Sequence, residues 1–444
     1  MIDILRGIIG MTAIVGIAYA FSQNRSRINW RLVGTGLGIQ FILAVFILKG
    51  RDMAEYWTPL GWPKDFFSWI SSFFVIVLDF TTEGATFIFG DLALSPGMED
   101  SMGNFFAFQV LPTIIFFASL TAILYHYGIL QRLVQYMARG MQKLMGTSGA
   151  ESLSVISNIF VGQTEAPLVV EPYIKKMTKS ELLAVMTGGM ATIAGGVMAA
   201  YVQMLGNSYA QAQGVSLDIG RLMFAEQLLG ASLMAAPAAL VIAKILYPEV
   251  SKPVTKGDVQ IDIEQPDANG IDAAASGAAT GLKLAANVGA MLLAFIALLA
   301  MGNYFLENFG TMTGINELIP GGSLRIETLL GWILAPVAFL VGVPWEDAIH
   351  MGSLIGTKVV LNEFVAYLQL SDMVGNATLN PKTVTMATFA LCGFANFSSI
   401  AIQIGGIGGL APSRKSELAQ FGLKAVLAGT LANLMTATIA GMLF

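Results

Sequence analysis

Gly162-Gln-Thr-Glu165 and Leu361-Asn-Glu363 are polar tracts set inside apolar segments. A carboxylate at the centre of a membrane helix costs about 2.5 to 3.5 kcal/mol on insertion scales. Glu165 and Glu363 are therefore expected to line one wet pocket rather than face lipid. Each tract is followed by a hydrophilic turn and then a long apolar run with an interruption of its own. Gly189-Met-Ala-Thr-Ile-Ala-Gly195 reads against Gly393-Phe-Ala-Asn-Phe-Ser-Ser399 with a small, polar or aromatic pattern in register. Glycine costs about 1 kcal/mol in a helix relative to Ala. Gly188, Gly189, Gly195 and Gly196 around Thr192, and Gly393 beside Asn396, Ser398 and Ser399, therefore predict unwound backbone with free carbonyls and amides. Gly405 and Gly409 are expected to serve close helix packing.

The rest of the chain supplies the setting. Of 444 residues, 55% are hydrophobic and 12% charged, half the roughly 25% charged share of soluble domains, so water is not the main solvent. Apolar runs near residues 4–21, 33–48, 105–127, 182–205, 222–247, 284–306, 383–410 and 417–443 approach or exceed the ~20 residues a spanning helix needs. Stretches near 66–80, 149–175, 326–342 and 345–371 are shorter or interrupted and suit interfacial or re-entrant segments. The reading is an all-α polytopic membrane protein with eight transmembrane helices, two re-entrant helical hairpins and inverted repeats with broken helices. That pattern points to a secondary transporter whose substrate binds near mid-membrane. Residues 1–145 are expected to hold N-terminal spans and the third span, and 146–247 and 345–444 two hairpin repeats. Residues 248–282 are expected to form a cytoplasmic linker, and 283–344 a further span with an extracellular-side helix.

Arg25, Arg27 and Arg31, then Arg132, Arg139 and Lys143, then Lys175, Lys176 and Lys179, and finally Arg414 and Lys415 fall on one side if the N-terminus is outside. The positive-inside rule makes that side cytoplasmic. Both termini are thus expected on the outer face of the membrane. The run ending Ala18-Tyr19-Ala20 is span-length and carries Asp3 where a signal peptide is basic, so it reads as a retained span. Cys392, the single cysteine, rules out an intrachain disulfide.

The polar tracts offer carboxylates, amides and hydroxyls but no arginine. Phosphate or carboxylate substrates call for basic groups or helix N-termini, so a neutral substrate rich in hydroxyls and amide-like edges fits better. Phe394 or Phe397 is available for stacking. Lys358 is expected to face solvent or to pair with Glu363. Asn158 and Thr192 offer side-chain oxygens to a cation held by unwound carbonyls. Glu171, Glu346 and Asp347 suit the headgroup zone. His126 and His350 are isolated and no H-E-x-x-H occurs, which argues against an intramembrane enzyme. A channel for neutral solutes is a third reading.

Four separated blocks resemble the concentrative nucleoside transporter family: Asn158-Ile-Phe-Val-Gly-Gln-Thr-Glu-Ala-Pro167, Met186-Thr-Gly-Gly-Met-Ala191, Leu361-Asn-Glu-Phe-Val-Ala-Tyr367 and Cys392-Gly-Phe-Ala-Asn-Phe-Ser-Ser399. The likeness covers essentially the whole chain. Its implications for the fold are an interfacial helix within 1–145, a scaffold role for 283–344 and a transport region made of the two repeats. It implies a homotrimer in the lipid bilayer and an elevator-type carrier that imports nucleosides, with no cofactor, no nucleic-acid partner and no enzymatic activity. It places the nucleobase on Gly162, Gln163, Thr164, Glu165 and Val197, and the ribose on Glu363, Phe394, Asn396 and Ser399. It implies a sodium site made of the Asn158 and Thr192 side chains with the carbonyls of Val161 and Ile193. Part of the family is proton-coupled, so H+ is the alternative to Na+.

Overall fold

The structure, a computed structural model, describes residues 2–96, 98–255, 267–319 and 322–444. The middle of the expected linker, residues 256–266, lies outside them. The first helices are α1 (Ile2–Ala20), α2 (Trp30–Tyr56), α3 (Trp62–Phe89), α4 (Phe106–Gln109), α5 (Leu111–His126) and α6 (Ile129–Met145). The first repeat follows: α7 (Gly149–Ser157), α8 (Glu171–Ile174), α9 (Lys179–Ala191), α10 (Gly195–Gln213) and α11 (Leu217–Leu246). After α12 (Gly270–Thr313) and α13 (Ile326–Leu340), the same order returns in α14 (Ala348–Val360), α15 (Glu363–Gly375), α16 (Pro381–Leu391), α17 (Phe397–Leu410) and α18 (Lys415–Met442).

Both long runs that carry the paired motifs are broken where glycine and polar residues cluster. The 182–205 run splits between Ala191 and Gly195, and the 383–410 run between Leu391 and Phe397. Among the described residues, eight stretches are long and apolar enough to cross a membrane, but they are not the eight read from the sequence. The 383–410 run drops out, because neither α16 nor α17 is long enough alone. Thr58–Ala93 joins instead, because the apolar stretch expected over 66–80 lies within the continuous 28-residue helix α3.

Burial divides the molecule. The spanning windows of α9–α10, α11 and Pro412–Met442 are 83%, 89% and 83% buried inside the chain, whereas those of α1, α3, α5 and α12 are 22%, 28%, 28% and 17%. The repeats form a core in which the long helices α11 and α18 pack on each other and on both broken helices. The other helices frame it and present apolar faces outward, as lipid-facing helices do.

Local chemistry sets the ends of the core helices. Ser148 and Glu151 form a capping box on α7, and Thr178 and Glu181 form one on α9, each satisfying two otherwise orphaned amides. Glu151 pairs with Lys244 at 2.6 Å, Glu249 lies 3.6 Å from the same ammonium, and Thr255 donates to Glu181 at 3.3 Å. The described start of the 248–282 linker is thereby pinned to the first hairpin. Asp347 is buried and accepts from Asn380 N and Thr383 Oγ1 at 3.0 and 2.6 Å. It holds α14 to the start of α16 and is shielded by the chain itself. Gly405 and Gly409 also differ from expectation: a Cβ at either would meet nothing within 4 Å, whereas one on Gly406 would meet Thr164. The close approach is made by Gly406, on the face of α17 turned to hairpin 1.

Candidate substrate and cation site

Hairpin 2 places its acid through a helix cap. Asn362, in extended backbone, accepts from Val365 N at 2.9 Å, so Glu363 becomes the first residue of α15 at a positive helix end. Its carboxylate is buried, accepts from Tyr201 Oη on Oε1 at 3.1 Å, and accepts from Asn396 Nδ2 on Oε2 at 2.9 Å. Asn396 is itself the cap of α17, accepting from Ser399 N at 2.9 Å and Ser398 Oγ at 2.7 Å. One residue thus orients both the helix start and the acid.

Hairpin 1 joins the same network. Gln163 Nε2 donates to Ser399 Oγ at 3.0 Å. Gln403 Nε2 donates to Gln163 Oε1 at 3.1 Å and to Met186 O at 3.0 Å. A continuous path therefore runs from Gln163 through Ser399 and Asn396 to Glu363, tying the two hairpin tips together across the second helix break. Val197 is buried on α10, one turn before Tyr201, and Phe394 is half-buried in the second break. Thr164 is half-buried against Gly406.

Glu165 departs from expectation. It is exposed, with its carboxylate folded over the backbone of Gly162, while Glu363 is 5% exposed. The two acids are not equivalent, because Glu363 has donors from α10 and α17 whereas Glu165 stands at an open loop. Gln163, not Glu165, makes the link to the second repeat.

Behind the tip, the expected cation ligands flank the first break. Gly195 N donates to Phe160 O at 3.3 Å and holds hairpin 1 against the break. Thr192 caps α9 and donates Oγ1 to Gly188 O at 2.9 Å. Asn158 donates Nδ2 to Ser154 O at 2.9 Å, leaving its buried Oδ1 with no hydrogen-bond partner among the described residues. A buried acceptor without a partner costs about 1 to 3 kcal/mol. A small hard cation is what the oxygen chemistry of this niche suits.

The residue reading missed Tyr201, Gln403 and Asn433. Tyr201 stacks on Tyr367 at 4.1 Å and meets Phe364 edge-on at 4.9 Å, and Phe364 meets Phe106 at 5.5 Å. These rings form an aromatic wall beside the Glu363 network. Helical spacing was the available signal: Gln403 lies four residues after Ser399 and Tyr201 four after Val197. Beyond the wall, a cavity of about 150 Å³ lies along α10 and α15, bordered by Asn104, Asn207, Ser208, Ser371 and Asp372. Lys358 neither faces solvent nor pairs with Glu363. It is 1% exposed and donates to Ala390 O at 2.9 Å and Asn433 Oδ1 at 2.6 Å.

A broken-helix core with a buried polar network, set in a frame of lipid-facing helices, defines a membrane carrier. Residues 227–441 match the Na+ dependent nucleoside transporter C-terminus, 9–92 the Na+ dependent nucleoside transporter N-terminus, and 107–208 the nucleoside recognition Gate domain. The chain is 46% identical over 444 residues to the transporter YutK of Bacillus subtilis, covering 99% of both. It is 42% identical to the nucleoside permease NupC of Helicobacter pylori, covering 99% of this chain and 97% of that one. It superposes on CNTnw in an inward-facing substrate-bound state with a TM-score of 0.85 at 43% identity, over 99% and 98% of the two chains. A CNTnw variant in an outward-facing state gives 0.86 at 42%, over 100% and 98%. The chain belongs to the Na+ dependent nucleoside transporter family, and it is an integral membrane transporter, not an enzyme.

Proposed function

We propose that the chain is a sodium-coupled symporter that imports nucleosides such as uridine by elevator-type alternating access. The observation that carries this reading is the hydrogen-bonded path from Gln163 to Glu363, with the unpartnered Asn158 oxygen behind it. Gly162, Gln163, Thr164 and Glu165 with Val197 take the nucleobase, their amide, hydroxyl and carboxylate groups reading its heterocyclic edge. Glu363, Asn396 and Ser399 take the ribose hydroxyls, and Phe394 covers the sugar. Glu363 accepts from vicinal hydroxyls, and Asn396 both donates and accepts. Sodium takes Asn158 Oδ1, Thr192 Oγ1 and the carbonyls of Val161 and Ile193, so its charge and the carboxylate's are carried together.

Coupling follows from differential stability. With sodium and nucleoside bound, the polar surfaces of both hairpins and both breaks are satisfied and the core crosses as one packed unit. With sodium alone, desolvated donors and acceptors disfavour the crossing. The core moves against the frame helices, α3 lies along the interface, and α16 with α17 makes one broken crossing as α9 with α10 does, which brings the crossings to eight. Both termini face outward, and the protein works as a homotrimer in a bacterial inner membrane. The outward apolar face of α12, with only 17% of its window buried, supplies surface for neighbouring copies or lipid.

The test is uptake of labelled uridine into vesicles, with sodium replaced by choline at fixed pH. Loss of accumulation is expected; full retention favours proton coupling. Competition by uridine, adenosine and free ribose tests the substrate class, and uptake without saturation or accumulation would make the protein a pore.

A further inference from the structure

The two repeats treat the same niche differently. In the first, the end of hairpin arm α7 meets the C-terminal end of α9, where Asn158 Oδ1 is buried without a partner. No Lys or Arg occurs over residues 149–170. In the second, the end of arm α14 meets the C-terminal end of α16, and an ammonium already stands there. Lys358, in the last turn of α14, donates to Ala390 O at 2.9 Å and to Asn433 Oδ1 at 2.6 Å. Asn433, fully buried on α18, passes the contact on: its Nδ2 donates to Cys392 O at 2.8 Å and to Ala191 O at 2.7 Å. One lysine and one asparagine therefore serve the carboxyl ends of both broken helices. Those ends carry partial negative charge and favour a cation.

We propose that Lys358 is a tethered cation occupying, in the second repeat, the place a free cation takes in the first. The carrier consequently needs one coupling ion per cycle rather than two. This rests on the sodium reading above. The Lys358 side chain serves the α16 end from within the chain, so the second half is pre-formed while ion binding assembles the first. Lys358 touches no substrate group in this arrangement; it is a positioning residue.

Uridine binding to purified protein in lipid nanodiscs, titrated with sodium against choline at constant ionic strength, separates the possibilities. The wild type is expected to show a sodium Hill coefficient of about 1. In Lys358→Ala the vacated niche keeps the Ala390 carbonyl and Asn433 Oδ1. Uridine affinity at low sodium should fall about tenfold or more, recover at high sodium, and follow a steeper curve with a coefficient approaching about 2. Lys358→Gln, which keeps a donor without the charge, should lose affinity in the same direction and serves if the alanine variant fails to fold. Wild-type affinity with an unchanged sodium curve in the Gln variant overturns the proposal. A loss in the Ala variant that no sodium concentration restores does so as well, since it makes Lys358 a packing residue. Sodium-independent uridine binding by the wild type sinks the coupling reading itself and is seen without any variant.

Discussion

The two repeats share an element order and differ in how their polar centres are filled. In the second, the two charged groups near the break have partners within the chain: Glu363 has Tyr201 and Asn396, and Lys358 has Ala390 O and Asn433, although Asn362 Nδ2, Thr357 Oγ1 and Gln403 Oε1 are buried without a partner among the described residues. In the first, Glu165 is exposed on its loop and Asn158 Oδ1 is buried and unpartnered. A pre-satisfied half and a half that waits for ligands have different energetic roles. The waiting half is where bound ligands change the balance between conformations, and the satisfied half is a rigid surface against which the substrate is read.

That contrast is most sharply broken at Glu363 and Asn396. Glu363→Gln and Asn396→Ala should abolish uridine uptake while expression and assembly persist. Each removes a hydrogen bond to a charged group, about 1.5 to 3 kcal/mol, or roughly 10- to 150-fold in affinity. Unchanged uptake by both variants would refute the assignment of the second repeat to the sugar. Gly393→Ala should come next, because its Cβ would lie 2.6 Å from Asn433 Oδ1 and 2.8 Å from Ala191 O. The variant should lose thermal stability in detergent and most of its uptake. Gln163→Ala cuts the bridge between hairpins at a cost of about 1 kcal/mol; a several-fold rise in uridine KM with a nearly unchanged maximal rate is expected. Gly405→Ala is the control, since nothing lies near its Cβ. Its uptake and melting temperature should match the wild type, and a large loss would show that α17 is contacted there by something outside the chain.

Several features were legible without coordinates because they are local. Glycine and polar residues cannot continue a membrane helix cheaply, so the 189–195 and 393–399 segments announced their breaks. The 383–410 run is divided for the same local reason: a helix broken at its middle leaves two pieces, neither of spanning length by itself. Hydropathy alone shortened α3, whose charged residues at 64, 65, 79 and 83 interrupt the run without interrupting the helix.

The sequence by itself determined that the chain is a helical membrane protein with two matching interrupted units, since backbone groups in lipid must be satisfied within their own helix and each exception needs polar or glycine residues at that point. Tertiary structure alone decided which polar residues share a network. Gln163 reaches Ser399 across 236 positions, Tyr201 reaches Glu363 across 162, and Asn433 spans to Ala191 across 242. Such pairings arise from packing one repeat against the other, and no periodicity within a single segment encodes them. The same packing made Glu363 a buried acceptor and left Glu165 in the open, two fates that one glutamate inside a polar tract does not distinguish.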